Sequence, residues 1–412
     1  MEEKALALLV FLCTYLGIAV GEIPGLQVDR TGIAILGATA MMALGVLQAE
    51  EALRYIHVPT LLLLYGLMVL SAQFKIGGFY TRVALYIAER FKSPKGFLWM
   101  LILASGVLSA LLANDVVCLA FVPVVVASTR SLGLNPIPFL LALSMSSNIG
   151  SAATIIGNPQ NMLIGQWGAL PFDEFLLWCG PPSAFGLLLA YLLISLFYRR
   201  RWYQREWAEG LLEEDWPAYN PHRVRKGAIL TLVLLVLFFT PIPREVTAIS
   251  VAGVLLCSRY VTTRELLSHV DWHLLALFIG LFIVVGGVSK YQIPQDLVQW
   301  LELRGLDLKD PAILTGFTLL LSNAFSNVPA VMLLLRSLDL PPHQLYLLAI
   351  VSTYAGNLLT IGSIANLITL EGARRMGIKV SPWQYAKLGI PLTLLTTASG
   401  LIWWFSLRGL TN

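Results

Sequence analysis

Long apolar runs separated by short polar loops constrain this chain more than any other feature. They include Leu187–Phe197, Leu230–Phe239 and Leu274–Val285 with their flanks. With those flanks, the runs approach the roughly 20 residues that an α-helix needs to cross a hydrocarbon core about 30 Å thick. Only 13% of the 412 residues are charged, about half the share found in soluble domains. The chain is therefore predicted to be an all-α polytopic membrane protein.

The apolar runs predict about eleven transmembrane segments. They lie near residues 4–20, 31–47, 59–74, 97–112, 136–156, 183–198, 227–240, 245–260, 273–289, 343–360 and 388–407. Two further apolar stretches, at about 113–130 and 312–336, carry polar interruptions and are predicted to be re-entrant hairpins. Residues 79–95 and 291–304 place charges between apolar positions, which favours interfacial amphipathic helices.

The two halves of the chain carry the same signals in the same order. The segment at 65–69 resembles 279–283, and the segment at 154–161 resembles 359–366. Between these segments, Asn114 lies 48 residues after Gly66, and Asn327 lies 47 residues after Gly280. Three matches in register predict an internal repeat. The expected organisation is a first repeat at 1–198 with a broken helix at about 136–169, a linker at 199–226, and a second repeat at 227–412 with a broken helix at about 343–370.

Loop charges predict that the repeat is inverted. Residues 166–175 contain no basic residue, whereas the equivalent loop at 371–387 carries Arg374, Arg375, Lys379 and Lys387. Equivalent loops of opposite charge are expected on opposite sides of the membrane. The protein is expected in the inner membrane of the cell. Its basic linker at 199–226 is expected in the cytoplasm. The N-terminus is also expected inside, and the C-terminus outside.

Two asparagines stand at the expected hairpin tips. Asn114, followed by Asp115, and Asn327, preceded by Ser326, lie in apolar surroundings, where a polar side chain is costly. Backbone groups left unpaired at a hairpin tip, together with an amide, can hold an ion or a polar solute. The alternative is an asparagine that bonds across a helix contact. The symmetric placement favours one binding site between the halves.

Asp115 is the acidic residue of this set. No basic residue lies near it in the sequence, and burial disfavours the charged form of a carboxyl group. Asp115 is therefore a candidate proton carrier. The alternatives are a Na⁺ site near Asn114, Asn148 and Asn327, or an aspartate that caps backbone amides of the hairpin. The second half has Val328 at this place, so a coupling acid is expected in one half only.

Each half also carries a segment in which glycine and small polar residues interrupt an apolar run. Such a break at membrane depth is tolerated where it lines a cavity. Freed carbonyls suit a cation, and helix N-termini suit an anion or oxyacid; the alternative is a glycine-lined helix crossing. The candidate site residues are Asn148, Gly150, Ser151, Thr154, Gly157, Asn158 and Asn161 in the first half, and Asn357, Thr360, Gly362, Ser363 and Asn366 in the second.

Other functional classes find little support in the sequence. The five histidines and four cysteines show no metal-ligand spacing and no catalytic order, so no enzyme, cofactor or bound metal is predicted. The sequence has no phosphate-binding loop, so an energising ATPase would be a separate subunit. The net charge of +4 comes from loop residues that set orientation in the bilayer and does not indicate nucleic-acid binding.

At these motifs the chain resembles the ion transporter superfamily. This superfamily groups the arsenite-pump membrane subunit, Na⁺/H⁺ antiporters of the NhaD type, divalent anion/sodium symporters and plant silicon-efflux transporters. Leu112–Asp115 resembles the first-hairpin motif of the arsenite-pump group, and Phe325–Pro329 resembles a second-hairpin motif shared widely. Residues 147–161 are most similar to the silicon-efflux branch and its bacterial relatives.

The resemblance implies two inverted five-helix repeats, a homodimer and elevator-type alternating access. In the sodium/carboxylate branch both hairpin tips read Ser-Asn-Thr. Here they read Ala-Asn-Asp at 113–115 and Ser-Asn-Val at 326–328. An acid at Asp115 fits proton coupling better than Na⁺-coupled carboxylate transport.

The expected function is secondary active transport of a small inorganic oxyacid or oxyanion. The leading candidate solutes are arsenite and silicic acid, which the protein would export in exchange for H⁺. A Na⁺-coupled symporter of dicarboxylate, citrate or sulfate is the first alternative, and a passive channel is the second. The expected partners are the solute, the coupling ion and the lipid bilayer.

Overall fold

The structure is a computed structural model that describes residues 2–21, 25, 27–203 and 218–411. Over these residues the chain folds into twenty α-helices and contains no β-strand. Seven of the described helices are long and apolar enough to cross a membrane, and shorter apolar helices accompany them. The prediction of an all-α polytopic protein is confirmed. Half of the predicted linker, residues 204–217, lies outside the described residues.

Each half of the described chain contributes ten helices. The first half forms α1 (Glu2–Val20), α2 (Arg30–Ala43), α3 (Ala49–Tyr55), α4 (Val58–Ile76), α5 (Phe79–Arg90), α6 (Pro94–Leu111), α7 (Asn114–Ser131), α8 (Ile137–Ser151), α9 (Pro159–Trp167) and α10 (Phe172–Phe197). The second half forms α11 (Pro221–Leu237), α12 (Arg244–Leu256), α13 (Thr263–Leu267), α14 (Trp272–Lys290), α15 (Ile293–Glu302), α16 (Pro311–Phe325), α17 (Asn327–Ser337), α18 (Pro342–Ala355), α19 (Ile364–Arg375) and α20 (Pro382–Thr411). Long and short helices follow each other in the same order, as a repeat requires.

Capping chemistry in the sequence sets two helix starts near the centre of the first half. The Ser93 hydroxyl accepts the Gly96 N–H before α6, and the Asn158 amide oxygen accepts the Asn161 N–H before α9. Both helices begin with proline, which lacks an N–H that the first turn would leave unpaired anyway. The cap side chain satisfies one of the remaining donors. Local sequence therefore fixes where these two helices begin.

Two glycines show that the halves are related by a two-fold axis. A methyl group on Gly66 of α4 would lie 2.6 Å from the Ala248 carbonyl of α12, and one on Gly280 of α14 would lie 2.8 Å from the Ala34 carbonyl of α2. Only glycine allows backbones to approach this closely. The two glycines are equivalent in the repeat, and so are the two alanines. Equivalent helices of the two halves therefore pack in the same way: α4 packs against α12, and α14 packs against α2.

The equivalent helices α4 and α14 run antiparallel. The His57 ring at the start of α4 lies 6.3 Å from the Phe282 ring in the second half of α14. The Tyr65 ring, further along α4, lies 5.8 Å from the Trp272 ring at the start of α14. Equivalent helices that point in opposite directions make an inverted repeat. The inverted arrangement predicted from loop charge is thus present in the helix packing.

The halves consequently begin at opposite ends of the helix bundle. At one end, which we call the terminal end, the Tyr291 hydroxyl just after α14 donates to the Glu3 carboxylate of α1 at 2.8 Å. At the other, the linker end, the Asn220 N–H just before α11 donates to the Gly77 carbonyl just after α4 at 3.0 Å. The N-terminus and the linker therefore do not share an end of the bundle.

The C-terminus returns to the terminal end. Arg336 at the end of α17 donates to the Tyr55 carbonyl at 3.1 Å, and the Tyr55 ring lies against Gly286 near the end of α14. The Trp404 indole late in α20 donates to the His343 carbonyl at the start of α18 at 2.6 Å. Both termini therefore lie opposite the linker. This agrees with the expected position of the C-terminus, whereas the N-terminus was expected on the linker side.

The first hairpin explains this difference. The stretch 113–130 is not a hairpin by itself but one helix, α7, which packs against α6 across a turn at Ala113. The hairpin therefore covers 94–131, and counting α6 as a separate crossing shifted the expected topology. The second hairpin, α16 and α17 around Ser326, covers 311–337, close to its predicted bounds. Because α6 is long and apolar enough to cross a membrane, its sequence alone predicts a separate transmembrane helix.

Candidate functional site

Both predicted helix breaks are present, and they meet in the middle of the bundle. Between α8 and α9 the chain forms turns from Ala152 to Asn158, and between α18 and α19 it forms turns and a 3-10 segment, Thr360–Gly362. A side chain at Gly157 would collide with the Ser151 carbonyl oxygen. The break is therefore tight enough to require glycine at that point.

Equivalent asparagines clamp the two breaks in the same way. The Asn161 amide nitrogen donates to the carbonyls of Ser151 (3.3 Å) and Thr154 (3.1 Å). The Asn366 amide nitrogen donates to the carbonyls of Gly356 (2.6 Å) and Leu359 (3.3 Å). Each asparagine bonds carbonyls ten and seven residues before it. These bonds satisfy carbonyls that the end of a helix leaves free.

Each half also reaches into the break of the other. Asn148 on α8 donates to the Asn366 amide oxygen at 2.9 Å and accepts from the Ser363 hydroxyl at 2.9 Å. Thr353, its counterpart on α18, accepts from Asn158 at 3.2 Å and donates to Asn161 at 3.3 Å. Hydrogen bonds that are related by the two-fold axis therefore connect the two breaks.

The direction of these hydrogen bonds fixes the orientation of Asn114 at the first hairpin tip. Asn366 bonds backbone carbonyls through its nitrogen, so its oxygen must accept from Asn148. The Asn148 oxygen then faces the tip, where the Asn114 amide nitrogen donates to it at 3.3 Å. The Asn114 amide oxygen is buried and has no hydrogen-bond partner among the described residues. A buried acceptor without a donor costs about 1–3 kcal/mol and is suited to a ligand.

The second hairpin tip repeats this feature. In the described part of the chain, the amide oxygen of Asn327 is also buried without a hydrogen-bond partner, and so is that of Asn323 one turn earlier. Asn323 donates to the Ala355 carbonyl at 3.0 Å, which turns its oxygen away from that carbonyl. The symmetry-related tip residues Asn114 and Asn327 therefore each present one unsatisfied acceptor.

Ser326 at the second tip has a strained backbone. Its φ of 77° and ψ of 158° fall in a region that is almost restricted to glycine and costs on the order of 1–3 kcal/mol for other residues. The matching residue in the first tip, Ala113, has an ordinary φ of −53°. Strain of this kind often accompanies a ligand clamp or a switch. The backbone of the second tip is therefore strained, whereas the backbone of the first tip is not.

The hairpins also differ in how they are attached to the broken helices. In the first half, Ser105 and Ser109 of α6 bond the hydroxyls of Ser146 and Ser147 on α8, the second pair at 2.7 Å. The equivalent hydroxyls on α16, those of Thr318 and Ser322, are buried and have no hydrogen-bond partner that the structure describes. At the place of Ser146, α18 has an apolar residue, Val351. The second hairpin is therefore the more weakly attached of the two.

Asp115 lies in the first turn of α7, beside the first tip, and is partly exposed. Among the described residues its carboxylate has no hydrogen bond and no ion pair, and no side chain caps the start of α7. The capping role considered for Asp115 is therefore absent. The Asp115 carboxyl group therefore lies beside the buried Asn114 amide without a fixed partner among the described residues.

Most of the predicted site residues meet at the two breaks. Asn357 accepts from Asn148 at 2.9 Å, and Ser151 accepts from Asn158 at 2.9 Å. Gly150, in contrast, has a packing role, because a side chain there would collide with the backbone of α6. Thr360 is only half-buried and has no side-chain hydrogen bond among the described contacts.

Two further predicted residues, Thr154 and Gly362, each contact a hairpin. The Thr154 hydroxyl donates to the Ala110 carbonyl of the first hairpin. A methyl group on Gly362 would lie 2.9 Å from the Asn323 amide oxygen. The Asn148 oxygen accepts hydrogen bonds from Asn114 and Ser363, and the Na⁺ position near Asn114, Asn148 and Asn327 stays a prediction.

Sequence reasoning missed three residues of this site. Thr353 aligns with Asn148 in the repeat, and that alignment was the signal that could have found it. Ser144, one turn before Asn148, donates to the Asn366 amide oxygen at 2.6 Å. Asn323 has no polar counterpart in the first half, so the repeat carried no signal for it.

The geometry can now be compared with known proteins. A family model described as citrate transporter matches residues 15–339. The chain belongs to the citrate transporter family. As a member of this family it is a multi-pass membrane transporter and not an enzyme. The predicted membership of the ion transporter superfamily is confirmed.

Relatives match over nearly the whole length of the chain. An uncharacterised transporter of Mycobacterium tuberculosis is 30% identical, with 97% of both chains covered. The silicon efflux transporter of Oryza sativa subsp. japonica is 28% identical, with 92% of this chain and 93% of the relative covered. A putative transporter arsB of Dictyostelium discoideum is 26% identical, with 95% and 90% covered.

A solved structure has the same general fold. The YdaH transporter of Alcanivorax borkumensis, described as having an unusual topology, matches with a TM-score of 0.50 at 14% identity. The match covers 100% of this chain and 99% of the other. It supports the helical architecture and not a substrate.

Proposed function

We propose that this protein is a secondary active transporter that exports a small inorganic oxyacid in exchange for H⁺. The observation that carries the proposal is the pair of buried, unsatisfied amide oxygens of Asn114 and Asn327 at the symmetric hairpin tips. Asn148 bonds the first tip to the helix breaks through Asn114, and Asn323 of the second hairpin donates to the Ala355 carbonyl at the end of α18. A solute bound there would contact both halves of the molecule.

The chemistry of the site favours a neutral, hydroxylated solute. Amide oxygens accept hydrogen bonds, so they suit hydroxyl groups. The hydrogen-bond network of the two breaks contains no lysine or arginine to neutralise an oxyanion. Arsenous and silicic acids are neutral hydroxylated molecules at neutral pH. The names of the rice and Dictyostelium relatives, silicon efflux transporter and arsB, support this class.

A Na⁺-coupled citrate carrier is the second candidate. The family model is described as citrate transporter, and uncharged oxygens are also ligands for hard cations. Citrate carries negative charge, which would require Na⁺ at the tips to neutralise it. Because the described hydrogen-bond network contains no basic side chain, citrate binding at this site would require the cation.

Thermal stability of the purified protein separates the two candidates. A ligand present at about 100 times its Kd stabilises the folded state by about 2.7 kcal/mol. We expect arsenite or silicic acid to raise the melting temperature without Na⁺, and citrate to have no effect. Stabilisation by citrate only in the presence of Na⁺ would overturn the oxyacid assignment.

We infer that alternating access is of the elevator type, with α1–α4 and α11–α14 as the fixed part. The hairpins, the broken helices and the site would move against it. The closely packed Gly66 and Gly280 contacts between α2, α4, α12 and α14 support a rigid fixed part. The homodimer and the separate ATPase subunit stay predictions.

The second hairpin is the expected gate, because its hydroxyls lack the partners that the first hairpin has. Val351→Ser would place a hydroxyl near Thr318, as Ser146 is placed near Ser105. One added hydrogen bond is worth about 1 kcal/mol, so we expect a higher melting temperature and transport slowed about fivefold. The matched control is Ser146→Val, which should lower stability without slowing the gate. Higher stability with unchanged transport would contradict this role.

The orientation in the membrane follows from the inverted fold and the basic loops. The described part of the linker end carries Arg30, Lys75, Arg82, Arg90, Lys92, Lys95, Arg130, Arg199, Arg200, Arg201, Arg223, Arg225, Lys226, Arg259, Arg264, Arg374, Arg375, Lys379 and Lys387. The described part of the terminal end carries Lys4, Arg54, Arg244, Lys290, Arg304, Lys309, Arg336 and Arg408. Since basic loops favour the cytoplasm, we propose that the linker is cytoplasmic and both termini are outside.

Cysteine accessibility in intact cells tests this orientation. In a cysteine-free background, single cysteines at Glu2 and at Arg408 should react with a membrane-impermeant maleimide, and one at Tyr219 should not. Labelling at Tyr219 without labelling at the two termini would reverse the proposed orientation. Labelling of Tyr219 together with Glu2 would contradict the inverted fold itself.

A further inference from the structure

A cavity of about 530 Å³ opens at the linker end of the bundle, away from the transport site. It lies between the end of α4, the start of α11 and the segment that joins α12 to α13. Its lining includes Gln73, His222, Arg223, Lys226, Ser258 and Tyr260. Nothing in the proposed transport cycle uses this cavity.

The cavity is basic, and its main cation is incompletely paired. Within the part of the chain that the structure describes, the Arg223 Nε atom is buried and has no hydrogen-bond partner. Its Nη1 atom lies 3.9 Å from the Glu265 carboxylate, at the outer limit of an ion pair, and its Nη2 atom lies 3.4 Å from the Tyr260 carbonyl. Because 3.9 Å is too long for a hydrogen bond, the Nη1 atom retains N–H groups that can donate within the cavity that Arg223 lines. A planar guanidinium suits phosphate because it can donate two parallel hydrogen bonds.

Lys226 holds a second positive charge in a fixed position. Its ammonium group donates to the carbonyls of Val254 (3.0 Å), Leu255 (3.4 Å) and Cys257 (3.3 Å) at the end of α12. These carbonyls form the negative end of the α12 dipole, which offsets only part of the positive charge of Lys226. The start of α11 adds the positive end of a helix dipole. Glu265 is the one acid that pairs with this group of cations among the described salt bridges.

The surface next to the cavity is apolar and faces outward. On α11, Ile229 (55% exposed), Val233 (41%) and Val236 (59%) follow Lys226 at helical spacing. They lie on the same side of α11 as Lys226. A helix face of this kind in a membrane protein contacts lipid. An acyl chain could follow this stripe while its headgroup entered the cavity.

We propose that the cavity binds the phosphate group of an anionic phospholipid from the cytoplasmic leaflet. Arg223 donates to the phosphate, Lys226 and the start of α11 stabilise its charge, and the acyl chains lie along α11. Basic pockets between membrane helices on the cytoplasmic side are suited to such headgroups. The cavity joins α4, α11 and α12, so a bound lipid would brace the fixed part of the transporter.

The test compares two arginines that lie two residues apart. Arg223 lines the cavity, whereas Arg225 on the same helix is exposed and outside it. Arg223→Gln and Arg225→Gln remove the same charge, and the Gln73 contact to residue 223 is kept because it uses the backbone carbonyl. The probes are short-chain phosphatidylglycerol, phosphatidylcholine with the same chains, and inorganic phosphate, added to the purified full-length protein.

We expect phosphatidylglycerol to raise the melting temperature of the unchanged protein and of Arg225→Gln, with little effect of phosphatidylcholine. Arg223→Gln should bind phosphatidylglycerol about fivefold more weakly. Equal responses of the two variants, or equal stabilisation by phosphatidylcholine, would overturn the site. A full shift with inorganic phosphate alone would overturn the lipid assignment in favour of a soluble phosphate ligand.

Discussion

Asn148→Ala is expected to abolish transport and to lower the stability of the protein. Asn148 bonds the first hairpin tip and the second broken helix at once, through Asn114, Asn357 and Asn366. Its loss would leave several buried polar groups unsatisfied, each at a cost of about 1–3 kcal/mol. Solute uptake into vesicles and thermal unfolding measure the two effects.

Thr360→Ala is the matched control. Thr360 lies in the same broken segment as Asn366 but has no side-chain hydrogen bond among the described contacts. We expect this variant to fold and transport like the unchanged protein. If Asn148→Ala also retained transport, the locked pair of helix breaks would not be the core of the site.

Asp115→Asn is expected to abolish pH-driven transport while leaving the fold intact. The carboxylate has no hydrogen-bond or ion-pair partner among the described residues, so its replacement leaves no group unsatisfied. Asparagine keeps the shape of the side chain but cannot carry the proton. The measurement is uptake into vesicles driven by a pH gradient, together with thermal unfolding.

The control for this prediction is Asp173→Asn. Asp173 is the second residue of α10, as Asp115 is of α7, but it lies at the exposed terminal end. This variant should keep pH-driven transport. Asp115→Asn protein that responded to a pH gradient like the unchanged protein would remove Asp115 from the coupling mechanism. Coupling by Na⁺ would then become the stronger candidate.

Much of the fold could be predicted from the sequence because membrane helices and breaks leave strong local signals. The repeat was visible in Gly66 and Gly280 and in the matching Gly-Asn segments, and the helix breaks lie where glycine and proline interrupt apolar runs. The length of the first hairpin was not predictable in this way. Its first limb, α6, is as apolar as a crossing helix, and only its packing against α7 identifies it.

The site was predictable where polar residues stand out against apolar neighbours. Asn114, Asn148, Asn327 and Asn366 were found on that basis. The exchange between Asn148 and Thr353 was not, because it depends on how two distant segments meet. The weaker attachment of the second hairpin also required the structure, since an unpaired hydroxyl cannot be recognised from the sequence.

The affinity of the hairpin tips for an oxyacid tests the central claim most directly. Titration calorimetry with silicic acid or arsenite should be done on the unchanged protein and on Asn114→Leu and Asn327→Leu, without Na⁺. If the two amide oxygens bind the solute, each substitution should raise the Kd about tenfold. Binding that is unchanged in both variants would contradict the account.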